Sequence, residues 1–213
     1  MSPLFFYFDY ISPYAYLAST QLQALASKHD RELRPVPVLF AAMLDASGAR
    51  GPAEIPLKRE YMFRDVNRLA KMLGVPIEPP ATHPFNPLAA LRATRVANDW
   101  RFVEALYRAT WVESRRVDRP EVVAEIAGET GLDGTAILEE SRSPEIKTRL
   151  RTATEEAIAR GAFGVPTMIA DDELFWGVDS LPLLERFLST GERIDAATLG
   201  RWRRITPSAI RKI

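Results

Sequence analysis

Two short stretches hold the residue types able to do chemistry. One is Ser12-Pro13-Tyr14-Ala15, just after the apolar run Leu4 to Phe8. The other is Gly164-Val165-Pro166-Thr167, which opens a second β-rich run. Serine followed by proline reads as a helix N-cap with proline at the first helical position, where its missing N–H costs nothing. A hydroxyl at that point stands beside the positive end of a helix dipole, which favours an anion by roughly 0.3–1 kcal/mol. Val165-Pro166 before a strand invites a cis peptide bond. The chain contains no cysteine, which excludes disulfides, zinc-thiolate sites and intrinsic dithiol redox chemistry. The two histidines, His29 and His83, lie far apart with no ligand set around either, so no metal site is expected. His29 falls at a helix end and reads as surface. His83 and Asn86 fall in the proline-rich loop Gly74 to Pro87 and are candidates for touching a substrate.

The elements that must position these residues follow from periodicity. Leu4 to Phe8 is almost wholly apolar, as in a strand buried on both faces. Ala15, Ala18, Leu22 and Leu25 recur at helical spacing, predicting a helix from Ser12 to about His29. Glu32 to Phe40 reads as a second strand, giving a right-handed βαβ start with parallel strands. Ala46 to Pro56 reads as a loop. Six helical segments follow: Pro56 to Leu73, Pro87 to Asp99, Arg101 to Ser114, Pro120 to Glu129, Gly134 to Glu140 and Pro144 to Arg160. Strand character returns at Val165 to Gly177, with Asp171-Asp172 as a hairpin turn. Ser180 to Gly191 closes the pattern as a helix ending on glycine. The expected architecture is α/β: a βαβ…ββα domain (residues 1–41 plus 162–213) interrupted by an all-helical insertion (42–161) that covers the active cleft.

The totals fit this reading. The chain has 213 residues, 46% apolar, with 28 basic and 28 acidic side chains. Zero net charge speaks against a general nucleic-acid binder. Arg201, Arg203, Arg204 and Arg211 read as a solvated tail. No signal-peptide core precedes Asp9 and no stretch reaches membrane-spanning length, so a soluble, cytoplasmic protein is expected.

The order βαβ, helical insertion, ββα, with Val-Pro before the third strand, resembles the thioredoxin-type fold. Ser12 to Ala15 falls where the Cys-Pro-x-Cys of disulfide oxidoreductases would sit. More closely, "FYFDYISPYAYLAS", "PLKREYMFRDVNRLAKMLGVP" and "GVPTMIADDELFWGVDSLPLLE" resemble the 2-hydroxychromene-2-carboxylate isomerases and kappa-class glutathione transferases, over essentially the whole chain. The resemblance implies glutathione as cofactor and a homodimer. It implies that Ser12 meets the glutathione sulfur and that the Val165 backbone, before Pro166, pairs with the cysteinyl part. The turn Gly177-Val178-Asp179-Ser180 would receive the γ-glutamyl end, with Asp179 and Ser180 the foremost candidates.

Elementary energetics accords with these roles. A free thiol titrates near 8.5, and lowering it by two units takes about 2.7 kcal/mol. One hydrogen bond to a charged acceptor contributes roughly 1.5–3 kcal/mol, so Ser12 at a helix start suffices without a histidine base. The γ-glutamyl carboxylate suits the helix beginning near Ser180, and Asp179 suits the ammonium.

Each residue also has a plainer reading. Ser12 serves equally as an N-cap, and the two roles are compatible. Asp9 is either a fold-buttressing carboxylate or a substrate-site group. Tyr14 and Tyr16 read as wall and core; Trp176 reads as packing, with its indole able to line the cleft. Glu54, Lys58 and Arg59 read as a solvated face, although the resemblance puts Lys58 near the cleft entrance. The isomerases carry a motif resembling F-K-x-x-x-G-N after the second strand, whose lysine and asparagine meet an acidic substrate. Here Asp45 stands about where the lysine would be and Ala49 about where the asparagine would be, with Arg50 able to supply the charge from next door. Three functions follow: a glutathione-dependent isomerase, a kappa-type glutathione transferase or peroxidase, or a silent thioredoxin-fold module binding peptide strands beside Val165.

Overall fold

The computed structural model describes residues 2–209; Arg211 of the basic tail lies outside them. Strand β1 (Pro3–Phe8) leads through a short turn into α1 (Pro13–Lys28), and β2 (Glu32–Pro37) returns parallel to β1. Strands β3 (Thr167–Ala170) and β4 (Glu173–Trp176) add antiparallel, giving a mixed sheet in the order β2-β1-β3-β4. Asp171 and Asp172 both take positive φ in the hairpin turn, as a tight two-residue connection requires.

The helices between the strands run α2 (Phe40–Ser47), α3 (Pro56–Leu73), α4 (Leu88–Ala97), α5 (Trp100–Trp111), α6 (Pro120–Glu129), α7 (Gly134–Ser141) and α8 (Pro144–Ala159). After β4 come α9 (Leu181–Thr190) and α10 (Ala196–Arg203). Two of these differ from expectation. The second strand stops at Pro37, and Phe40–Ser47 is helical rather than strand end and loop. Its composition favours a helix, and Gly48 ends it in the left-handed conformation. The tail residues Arg201 and Arg203 belong to α10, capped by Asp195, with no buried residue on any face.

β1 explains why its run is apolar throughout. Leu4, Phe6 and Phe8 face the main core, against Leu17, Phe102, Tyr107 and Leu184. Tyr7 faces the opposite layer, with Val38, Met43, Ala157 and Ile169. The main core passes without a break from the sheet into the helical insertion. Glu32 of β2 and Val38 just after it donate their N–H groups to the Ser2 and Phe8 carbonyls of the β1 segment. The backbone polar groups of Leu33, Pro35 and Pro37 therefore point away from β1, and the two prolines offer no N–H there.

Candidate active site: the Ser12 turn and the cis-Pro166 loop

The turn Tyr10 to Ser12 sits at the C-terminal end of β1. Ser12 caps α1: its Oγ accepts from the Ala15 N–H at 3.2 Å, and Pro13 follows at the first helical position. The same Oγ donates to the Val165 carbonyl at 3.4 Å, a long and weak bond. The Val165–Pro166 peptide is cis. No protein group among the described residues accepts from the Val165 N–H. Ser12 and Val165 are both largely buried. Sequence positions 12 and 165 are thus brought into contact at the N-terminus of α1.

The γ-glutamyl candidates lie next to this pair. The Gly177 N–H bonds to the Pro166 carbonyl at 2.9 Å, tying the β4 exit to the cis-proline loop. Gly177 has φ +88, and a Cβ there would stand 2.3 Å from Asp179 Oδ1, so any other residue would strain the backbone and push the Asp179 carboxylate aside. Asp179 is exposed and Val178 buried. Ser180 directs its hydroxyl to the Gly177 carbonyl at 2.8 Å, so its proton is already engaged in the turn.

Beneath the turn, nearly every backbone polar group is held. Asp9, 1% exposed, accepts from the Ile11 N–H through Oδ1 at 3.1 Å and from the Phe40 N–H through Oδ2 at 3.0 Å. Burial pushes its carboxyl up to about 7, against the opposing pull of those N–H groups. The carbonyls of the turn are taken in succession. Asp9 O accepts from Ser12 N–H and the Tyr107 hydroxyl, Tyr10 O from Trp111 Nε1, and Ile11 O from His83 Nε2. The Tyr10 hydroxyl meets Thr94 Oγ1 at 2.7 Å. This shell comes from α4, α5 and the proline-rich loop. Thr94, Tyr107 and Trp111 were not singled out from sequence, because each reads there as ordinary core.

His83 joins the site from the loop. Ile11 O can only accept, so Nε2 carries the proton and Nδ1 keeps its lone pair, buried without a partner. Burial lowers the imidazole's basicity further. Phe63 and Trp111 meet the ring edge-on, and Arg59 donates to the His83 carbonyl. A pocket of about 450 Å³ opens here, walled by Phe63, Val66, Ile77 and Trp111 with Arg59 at its edge.

No side chain of the remaining candidates hydrogen-bonds the Ser12 turn among the described residues. Asn86 is exposed and accepts from the Leu88 N–H, starting α4. Asp45 lies exposed on α2 and Arg50 exposed beyond it; no hydrogen bond or ion pair among the described residues links either to the Ser12 turn. Lys58 is exposed on α3, and Glu54 accepts from the Gly51 N–H. Tyr14 and Tyr16 reach out from α1 to Asp65 and the Pro76 carbonyl. Trp176 is half-exposed and packed on Phe163, with its Nε1 against Gly164 of the cis-proline loop.

The strand order, the cis-proline loop and a reactive-type residue capping the first helix define a thioredoxin-type domain, here with serine at the N-cap. Comparison with known proteins agrees. The DSBA-like thioredoxin domain family matches residues 4–189. The chain is 36% identical over 192 residues to a 2-hydroxychromene-2-carboxylate isomerase of Sphingobium xenophagum, covering 86% of this chain and 96% of that one. It is 27% identical over 204 residues to human glutathione S-transferase kappa 1, covering 85% and 88%. A solved 2-hydroxychromene-2-carboxylate isomerase superposes with a TM-score of 0.79 at 28% identity, covering 94% and 96%. The chain belongs to the DSBA-like thioredoxin family, among the 2-hydroxychromene-2-carboxylate isomerases and kappa-class glutathione transferases. Its relatives are enzymes, and no helix among the described residues is long and apolar enough to cross a membrane.

Proposed function

We propose that this protein is a glutathione-dependent isomerase of the 2-hydroxychromene-2-carboxylate isomerase type, acting on a conjugated, aromatic-derived acid. The observation that carries the reading is the Ser12–Val165 pair. A hydroxyl proton held by a 3.4 Å bond is easily redirected to a sulfur anion, and the unspent Val165 N–H beside it matches a peptide carbonyl. Together they fit the cysteinyl part of a tripeptide thiol.

Ser12 keeps accepting from Ala15 while its proton turns to the sulfur, and the α1 N-terminus adds favourable field. Val165 pairs with the tripeptide backbone and Pro166 holds that edge open. Asp179, exposed beside Gly177, takes the γ-glutamyl ammonium, and the turn Gly177 to Ser180 takes its carboxylate. When bound, glutathione supplies a nucleophile that adds reversibly to a conjugated carbon, lets the former double bond rotate and departs unchanged. The pocket beside His83 offers an aromatic wall for that substrate. Arg59, which lines it, offers the cation for an acidic group, with Arg50 as the alternative.

Calorimetry with glutathione on the wild type and on Ser12→Ala tests the binding. Assay of a conjugated acid then tests the reaction: an isomerase returns all of the glutathione, whereas a transferase consumes it. Absence of glutathione binding would leave the peptide-docking module as the surviving reading. A homodimer and a cytoplasmic setting belong to the same proposal, and light scattering reads the first.

A further inference from the structure

A small polar cleft of about 140 Å³ lies where β2 meets the helical insertion. Its wall is made of Pro35 and Pro37 from β2, Arg95 and Asn98 at the end of α4, Asp99 at the start of α5, and Arg149 on α8. Thr94 and Val103 complete the wall, and Thr94 also bonds the Tyr10 hydroxyl at the start of the Ser12 turn.

Two guanidinium groups share this cleft, and no carboxylate among the described residues forms an ion pair with either. Arg95 is half-buried and its Nε is sealed from solvent with no hydrogen-bond partner. Burial first, and then the like charge of Arg149, weaken its hold on its proton, while Glu156 pulls the other way more weakly. Among the described residues no carboxylate, Glu156 of α8 included, lies within ion-pair distance of Arg95 or Arg149. Asp99, the one carboxylate in the wall, turns Oδ1 to the Arg101 and Phe102 N–H groups as the cap of α5. Pro35 and Pro37 offer no N–H on this side. The available donors are therefore the two guanidiniums and the Asn98 amide.

Bringing two like charges together into a partly dry, polar cleft is unfavourable unless an anion joins them. Planar guanidinium forks match the oxygen spacing of phosphate and carboxylate groups, and two forks suit a double charge. We propose that Arg95 and Arg149, with Asn98 beside them, form a binding site for a small dianionic oxyanion of the phosphate or sulfate class. The volume admits the oxyanion itself and leaves any larger body attached to it in solvent.

Thermal unfolding of the whole chain in phosphate, sulfate, acetate or chloride at equal ionic strength tests this without glutathione. At roughly 20 mM, phosphate and sulfate should raise Tm by about 2–4 °C over chloride, with acetate well below them. Arg149 is exposed, so its variants keep the fold. Arg149→Met should remove most of the phosphate effect. Arg149→Glu should raise Tm in chloride, by giving Arg95 an internal partner, and abolish the response to phosphate. A phosphomonoester giving the same shift as free phosphate would place the rest of the molecule outside the cleft, as the volume requires. Equal phosphate responses in the wild type and both variants, or no response in the wild type, would overturn the proposal.

Discussion

Replacing Ser12 by alanine separates the two tasks of one oxygen. In the free protein Oγ accepts from the Ala15 N–H at 3.2 Å and donates weakly to the Val165 carbonyl at 3.4 Å. Loss of the cap costs about 1 kcal/mol of stability, which lowers Tm by about 2–4 °C in a chain of this length. Loss of the hydroxyl-to-thiolate bond costs about 1.5–3 kcal/mol of anion stabilisation. At 1.36 kcal/mol per pH unit, the titration midpoint of bound glutathione should rise by about 1–2 units. The dipole of α1 survives the substitution and retains roughly 0.3–1 kcal/mol of the effect. The assay is a pH titration of the ultraviolet thiolate absorbance of saturated protein–glutathione mixtures. Asp133→Ala is the control: it removes the equivalent cap of α7, where Asp133 accepts from Ala136 N–H, and should lower Tm without moving the thiol midpoint. If Ser12→Ala titrates with the wild-type midpoint, the hydroxyl does not hold the sulfur and the mechanism falls.

Three further substitutions probe the support of the turn. Asp9 has its carboxyl pushed up to about 7 by burial. The folded state therefore keeps a proton that the unfolded chain has lost, and stability should fall as pH rises from about 4 to about 7, by on the order of 4 kcal/mol. Asp9→Asn should flatten that slope in denaturant unfolding at a series of pH values; parallel curves would refute the burial argument. Gly177→Ala places a methyl group 2.3 Å from Asp179 Oδ1 at φ +88. It should cost upwards of about 1 kcal/mol and weaken glutathione binding through displaced Asp179, both readable by calorimetry. Trp111→Phe keeps the buried ring but strands the Tyr10 carbonyl. A loss of about 1–3 kcal/mol in unfolding free energy is expected, and a neutral variant would show that the clamp is dispensable.

Local signals were legible wherever a segment carries its own instructions. Ser12-Pro13 announces α1, Asp171-Asp172 announces the hairpin, and Val165-Pro166 announces the cis bond. Helix α2 escaped because its start is not instructed locally. Leu39 provides no side-chain cap, and Val38-Leu39-Phe40 continues the strand's apolar character. Its first N–H groups are satisfied instead by Thr154 Oγ1 and Asp9 Oδ2, both remote in sequence. Helix α10 did carry a signal, Asp195 accepting from Thr198 N–H, but buries no residue and so shows no apolar stripe. The same distinction divides the site. Ser12 and Val165 stand in recognisable motifs, whereas Tyr107, Trp111 and Thr94 act through polar atoms on side chains whose bulk already explains their presence.

The two prolines facing outward from β2 have a consequence for how copies of this chain can associate. A neighbouring strand would find carbonyls but no donors at two successive positions, and Pro37 is already buried beside the helical insertion, so lateral growth there is blocked twice over. The opposite margin, β4, carries no such block. Two copies joined margin to margin through β4 would make one eight-stranded ribbon ending in proline on both sides. Strand-by-strand accretion would then stop at a pair, both free margins of the ribbon being closed.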